Sequence, residues 1–125
     1  MALQQTLYIR IYRNRITIQD VESQAISSVD TVSPFTTDRL LVGQFSTAVE
    51  TLQKAIRQIH TGWRALLIRP IILIQPLEMI EGSLSEVEER IFKELAASAK
   101  ANRIVVWTGP ELSPQQVMEQ TKNAR

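Results

Sequence analysis

Leu7-Tyr8-Ile9-Arg10-Ile11-Tyr12, the polar break Arg13-Asn14-Arg15, and Ile16-Thr17-Ile18-Gln19 form the stretch that decides the fold. Leu7, Ile9 and Ile11 alternate with Tyr8, Arg10 and Tyr12. That period of two is what a strand gives when successive side chains point to opposite faces. Asparagine tolerates the left-handed backbone of a tight turn, so the break reads as a hairpin turn into a second strand. Gln24 to Val29 reads as a third, more weakly marked strand. Asp30 to Gln44, carrying Pro34 and Gly43, reads as a connection.

Beyond this opening the period changes. Val49, Leu52, Ile56 and Ile59 recur at steps of three and four, which predicts a helix with one apolar stripe. Thr47 and Glu50 have the spacing of a capping box at its start, and His60-Thr61-Gly62 would end it. Ile71-Ile72-Leu73-Ile74 is continuously apolar and mostly β-branched, as a central strand covered on both faces would be, with Pro70 and Pro76 bracketing it. A second helix is expected from Ser85, capped with Glu88, carrying Val87, Ile91, Leu95 and Ala99 on its buried stripe. Arg103 to Thr108 reads as a further strand. Ser113-Pro114-Gln115-Gln116 has a cap followed by proline at the first helical position, so a short third helix follows.

The predicted order is three strands, helix, strand, helix, strand, helix. The hairpin must be antiparallel, whereas strands joined through helices should be parallel by right-handed crossovers. One α/β domain spanning residues 1–125 is expected. Its mixed five-stranded sheet, in the order 3-2-1-4-5 with about three helices, is that of the ribonuclease-H-like fold and the actin-like ATPase subdomain.

Composition narrows the functional classes. Apolar residues make up 44% and charged residues 22% of the chain, a globular balance, and 125 residues can bury roughly two-thirds of the unfolded surface. A formal charge of +1 carries no basic surplus, so no nucleic-acid partner is expected. There is no cysteine for a disulfide, thiolate ligand or nucleophile, and a single histidine makes no metal cluster alone. Ala65 to Ile74, the most apolar run, is broken by Arg69 and Pro70 and is far short of the ~20 residues that span a bilayer. Met-Ala-Leu-Gln-Gln lacks the basic start and apolar core of a signal peptide, and a cytoplasmic protein is expected.

The segment Arg69-Pro70-Ile71-Ile72-Leu73-Ile74-Gln75-Pro76, followed by Ser85-Glu86-Val87-Glu88-Glu89-Arg90-Ile91, resembles the MreB family of bacterial actin-like, rod-shape-determining proteins. That family shows an Arg-Pro, a strand ending in proline, and a capped helix opening Glu-Val-Glu-Lys-Arg. Here the loop between Pro76 and Ser85 is longer. Arg103-Ile104-Val105-Val106 is similar to the family's next strand, and the likeness covers most of this chain but only the first portion of an MreB.

The resemblance implies an actin-like scaffold in the bacterial cytoplasm, linked to cell shape or filament regulation. It also locates a departure. Actin-like ATPases place an aspartate and then a glycine in the first hairpin, to organise the metal and cradle phosphate. With Tyr8-Ile9-Arg10-Ile11-Tyr12 laid on that motif, Arg10 replaces the aspartate and Tyr12 the glycine. Arginine cannot hold magnesium, and Tyr12 would crowd the close backbone approach that glycine permits. Near Thr108-Gly109-Pro110 only Glu111 is acidic, out of register with the family's hydrolytic residues. ATP binding, catalysis, a resident metal and a cofactor are therefore not expected.

A two-metal nuclease needs carboxylates on the first strand, first helix and fourth strand, and the first strand has none. Glu50 is better explained by capping. His60 suits the negative end of a helix dipole, and Glu78, Glu81, Glu86, Glu88 and Glu89 suit the positive end of the next. Tyr8, Arg10, Tyr12, Arg13 and Arg15 give the first hairpin arginine and aromatic character of the kind enriched at interfaces. Two readings of that face stay open: an interaction surface, or a face covered by the chain's own helix with arginine heads in water. Trp63 and Trp107 are core or rim residues, or interface anchors. The expected function is a non-enzymatic MreB-like interaction or assembly module that binds a protein partner or itself. The alternatives are a ligand-binding or enzymatic ribonuclease-H-like domain with an atypical site near His60 and the acidic cluster, and a regulator occupying a filament end.

Overall fold

The computed structural model describes residues 4–59 and 67–122. The elements run β1 (Thr6–Tyr12), β2 (Arg15–Asp20), β3 (Ile26–Asp30), α1 (Phe45–Ile59), β4 (Ile71–Pro76), α2 (Glu86–Ala97), β5 (Arg103–Val106) and α3 (Pro114–Lys122). One mixed sheet holds all five strands in the order β3-β2-β1-β4-β5. β1 pairs antiparallel with β2 and parallel with β4, β2 pairs antiparallel with β3, and β4 pairs parallel with β5. The order, the three helices and the strand directions are those expected from the sequence.

The alternation in the first hairpin sorts side chains to two layers. Leu7, Ile9, Ile11, Ile16 and Ile18 join Ile72 and Ile74 on one face, under Ala48, Leu52 and Ala55 of α1 and Phe92, Leu95 and Ala96 of α2. Tyr8, Val21 and Leu73 occupy the opposite face and pack against Val117 of α3, with Val105, Trp107 and Leu112 at the margin. β4 is buried at every position because both layers meet there, which is why it reads as unbroken apolar sequence.

Several boundaries differ from expectation for local reasons. α1 begins two residues before Thr47, because the Phe35 carbonyl accepts from the amides of both Gly43 (2.8 Å) and Gln44 (2.9 Å), fixing the entry. Thr47 thus lies inside the first turn, where its carbonyl accepts from the Thr51 hydroxyl at 2.9 Å, rather than capping with Glu50. The helix's buried stripe centres on Ala48, Thr51, Leu52 and Ala55, while Val49, Ile56 and Ile59 are its flanks. The expected stop at His60-Thr61-Gly62 lies outside the described residues.

Ser85 and Glu88 form the expected capping box, at 3.2 and 3.1 Å. Val87, expected on the buried stripe of α2, is instead 68% exposed, since the helix turns Phe92, Leu95 and Ala96 inward. Ser113 caps α3 reciprocally with Gln116 at 3.2 and 2.8 Å, with Pro114 at its first position. Pro76 does not bound β4 but ends it, opposite Ile11. β5 stops at Val106, after which the Trp107 amide makes one more bond to the Ile74 carbonyl at 3.0 Å.

The connection before α1 is part of the core. Phe35 is fully buried, with Leu41 and Val42 beside it. Asn14, in the hairpin turn at φ 55°, holds this segment: its Oδ1 accepts from the amides of Phe35 and Thr36, both at 2.9 Å.

Candidate functional site

The even-numbered side chains of β1 rise in a row on the face that α3 covers only in part. Tyr8 is 1% exposed, Arg10 and Tyr12 are half-buried. Their partners arrive from β4 and from the loop after β5. The Tyr8 hydroxyl donates to Gln75 Oε1 and accepts from the Leu112 amide at 3.1 Å. Gln75 Nε2 in turn donates to the carbonyls of Gly109 (2.7 Å) and Pro110 (3.3 Å), and Trp107 Nε1 donates to Pro110 at 3.0 Å. Loop 107–112 is thereby laid across the carboxyl ends of β1 and β4. Gly109 suits the close approach: it has φ 155°, and a Cβ there would meet the Trp107 ring at 3.2 Å.

Charge is balanced locally. The Arg10 guanidinium lies 5.1 Å from the Tyr8 ring centroid, and its Nη1 is 4.0 Å from Glu111 Oε1. The Tyr12 hydroxyl donates to the same Glu111 oxygen at 3.4 Å, and Arg15 lies 5.4 Å from the Tyr12 ring centroid. Arg10 Nε is buried without a hydrogen-bond partner. Burial pushes both tyrosines above their ordinary value, with the Arg10 charge opposing it in each.

The seven residues singled out in the sequence do not form one surface. Tyr8 belongs to the core and cannot meet a partner, because Leu112 and loop 107–112 lie over it. Tyr8 is covered by the Leu112 loop and by Val117 of α3, and Arg10 is covered in part. Tyr12 and Arg15 remain at the open margin. Arg13 turns away to the loop after β4, where its amide donates to Glu78 and its Nε sits 3.8 Å from the same carboxylate. Trp107 is partly buried against the Tyr8 layer. Trp63 lies outside the described residues.

Beyond Arg10 and Tyr12 the face over β2 and β3 is uncovered. The Thr17 and Ser28 hydroxyls meet at 2.9 Å, Arg15 pairs with Asp30 at 3.5 Å, and Ile26 is 58% exposed. Sequence reasoning missed Gln75 as the organiser of loop 107–112. It is the one polar side chain within an otherwise apolar strand, and that was its signal.

The acidic cluster around α2 is dispersed in use. Glu78 answers Arg13, Glu88 caps, and Glu89 pairs with Lys93 at 3.2 Å. Among the described residues no group of three or more metal-ligating side chains is assembled, and no helix is long and apolar enough to cross a membrane. His60 lies outside the described residues.

No protein-family profile and no solved structure matches the chain. Among curated proteins it is similar to the Uncharacterized protein YjaA of Escherichia coli (strain K12), with 43% identity over 97 residues. The match covers 74% of this chain and 75% of that protein, so the chain belongs to the family of YjaA.

Proposed function

We propose that the chain is a non-enzymatic interaction and assembly module of the bacterial cytoplasm, built on an actin-like, ribonuclease-H-like scaffold of the MreB type and linked to cell shape or filament regulation. The observation that carries the module reading is loop 107–112. Open α/β sheets take their ligands in the crevice at the carboxyl ends of parallel strands. In this chain Tyr8, Gln75 and Trp107 hold the loop across the ends of β1 and β4. Arg10 and Glu111 sit at its margin as a weak ion pair at 4.0 Å. What remains accessible is the bare face over β2 and β3. The scaffold assignment is supported by the strand order β3-β2-β1-β4-β5 and by the segments Arg69–Pro76 and Ser85–Ile91.

Two measurements test the reading. Thermal denaturation with ATP and Mg2+ should leave the midpoint unmoved, because a ligand at 100 times its dissociation constant would add about 2.7 kcal/mol of stability. A clear rise would restore a nucleotide site and overturn the proposal. In cells, a photo-crosslinking amino acid at Thr17 should give discrete protein adducts that one at Ala97, on the α2 layer, does not. Equal labelling at the two positions would count against a binding face.

A further inference from the structure

Arg10 carries a charge that its own chain leaves short of bonds. Its side chain is 19% exposed, Nε is buried without a partner, and no hydrogen bond joins the guanidinium to another of the described residues. The nearest counter-ion, Glu111, stands 4.0 Å from Nη1, beyond hydrogen-bonding range. A buried polar group left without a partner is costly, and in a native structure it calls for an occupant or a functional reason.

The surroundings prepare this guanidinium for a planar anion. Arg10 Cζ lies over the Tyr8 ring, 5.1 Å from its centroid. An arginine stacked in this way keeps its N–H edge for paired bonds to a carboxylate. With Nε closed off, that edge is Nη1 and Nη2. Across the hairpin Thr17 stands opposite Arg10, and Arg15 opposite Tyr12, so the four share the open face. Arg15 repeats the arrangement over the Tyr12 ring, and its pairing with Asp30 at 3.5 Å joins two exposed side chains and holds weakly. The Thr17 and Ser28 hydroxyls share one bond, which leaves one O–H of the pair to donate.

Glu111 shows which anion fits. It is 57% exposed and brings one carboxylate oxygen to 3.4 Å from the Tyr12 hydroxyl, without closing on the guanidinium. We infer that Arg10, with the Tyr12 hydroxyl and Arg15 beside it, is a carboxylate-binding site for an acidic, extended segment of a protein partner, and that Glu111 is the internal competitor which that segment displaces. This rests on the module reading and deepens it by giving the partner's chemistry. A partner carboxylate takes the place of Glu111 at Nη1 and Nη2 and receives the Tyr12 hydroxyl. Arg10 and Arg15 are diagonal neighbours across an antiparallel pair, about 7–8 Å apart. Alternate residues of an extended chain project to one side about 6.5 Å apart. Acidic residues at every second position of the partner therefore match the two arginines.

Fluorescence anisotropy of the full chain with a labelled, carboxyl-amidated peptide of alternating serine and glutamate is the test. Binding is expected, loosening as salt is raised, and the same peptide with glutamine for glutamate should not bind. Arg10→Gln should weaken binding by roughly tenfold or more, and Tyr12→Phe by less. Glu111→Gln should tighten it several-fold, since the internal carboxylate no longer competes. Arg13 and Glu78 make a pair of the same charges away from this face. Arg13→Gln and Glu78→Gln should therefore leave the affinity unchanged, and far-ultraviolet circular dichroism confirms that each variant is folded. The inference is overturned if the glutamate peptide does not bind, if Glu111→Gln fails to tighten it, or if Arg13→Gln is as damaging as Arg10→Gln. A glutamine peptide with a free terminal carboxylate that binds as well as the glutamate peptide also overturns it, in favour of a chain end. Failure of peptide binding with protein adducts still forming at Thr17 would remove the acidic partner and leave the module reading standing.

Discussion

The Tyr8 hydroxyl and the Leu112 amide are hydrogen-bonded at 3.1 Å although 104 residues separate them in the chain. Through Gln75, the same hydroxyl also governs the carbonyls of Gly109 and Pro110. One phenol thus ties the first strand, the fourth strand and the approach to α3 together.

Removing that hydroxyl should be felt well beyond its own volume. Tyr8→Phe leaves the Leu112 amide and Gln75 Oε1 without their partner in a buried layer, at a cost of about 1–3 kcal/mol. Urea denaturation should show a lower midpoint with an unchanged slope. Gln75→Leu fits the apolar strand but strands the Gly109 carbonyl, and should loosen loop 107–112 as read by faster amide exchange at Leu112.

Asn14 should rank among the most sensitive surface positions. Its left-handed backbone disfavours a Cβ-bearing residue with no polar end, and its Oδ1 accepts from Phe35 and Thr36. Asn14→Asp should be nearly neutral, since it keeps both acceptor roles. Asn14→Gly keeps only the backbone and should lose about 1–3 kcal/mol, with Asn14→Ala worse again, all measured by denaturation.

At the start of α2, Ser85→Ala should cost about 1 kcal/mol, and Glu88→Ala less, because the serine hydroxyl satisfies a helix amide directly. The double variant should cost less than the sum of the singles, since the two bonds belong to one box.

Burial raises the titration of both tyrosines, the only two in the chain, above 10.0. The stability this contributes is fully present below pH 10 and is lost as pH rises through the folded-state values. An absorbance titration of the native protein should therefore show tyrosine ionisation later than in denaturant. Tyr8→Phe should leave a single ionising tyrosine and soften the alkaline loss of stability. Coincident native and denatured titrations would contradict the burial of Tyr8 and the half-burial of Tyr12.

The order and type of elements were legible because their signals are local. The alternation around Ile9 and Ile18, the unbroken run at Ile72 and the caps at Ser85 and Ser113 each announce themselves within a few residues. Phe35 gave no such signal. It sits in a segment with no period, and its burial depends on Asn14 twenty-one residues earlier. The same is true of the site: whether the Tyr8 row was open or covered depended on Gln75 reaching Gly109, 34 residues away, a bond no periodicity encodes. The start of α1 alone departed from its local motif, because a tertiary contact overrode it: Phe35 captured Gly43 and Gln44 ahead of Thr47.

β1 is the first of the described strands and the middle strand of the sheet. During synthesis its antiparallel neighbour emerges at once, whereas its parallel neighbour, which sets Ile71 against Thr6, emerges much later. Until then the nascent hairpin presents an unpaired side and two bare faces, and closing so long a loop costs entropy before any contact rewards it. The apolar hairpin is therefore left exposed for longest, and the Leu112 loop together with Val117 of α3 is what finally withdraws Tyr8 from water.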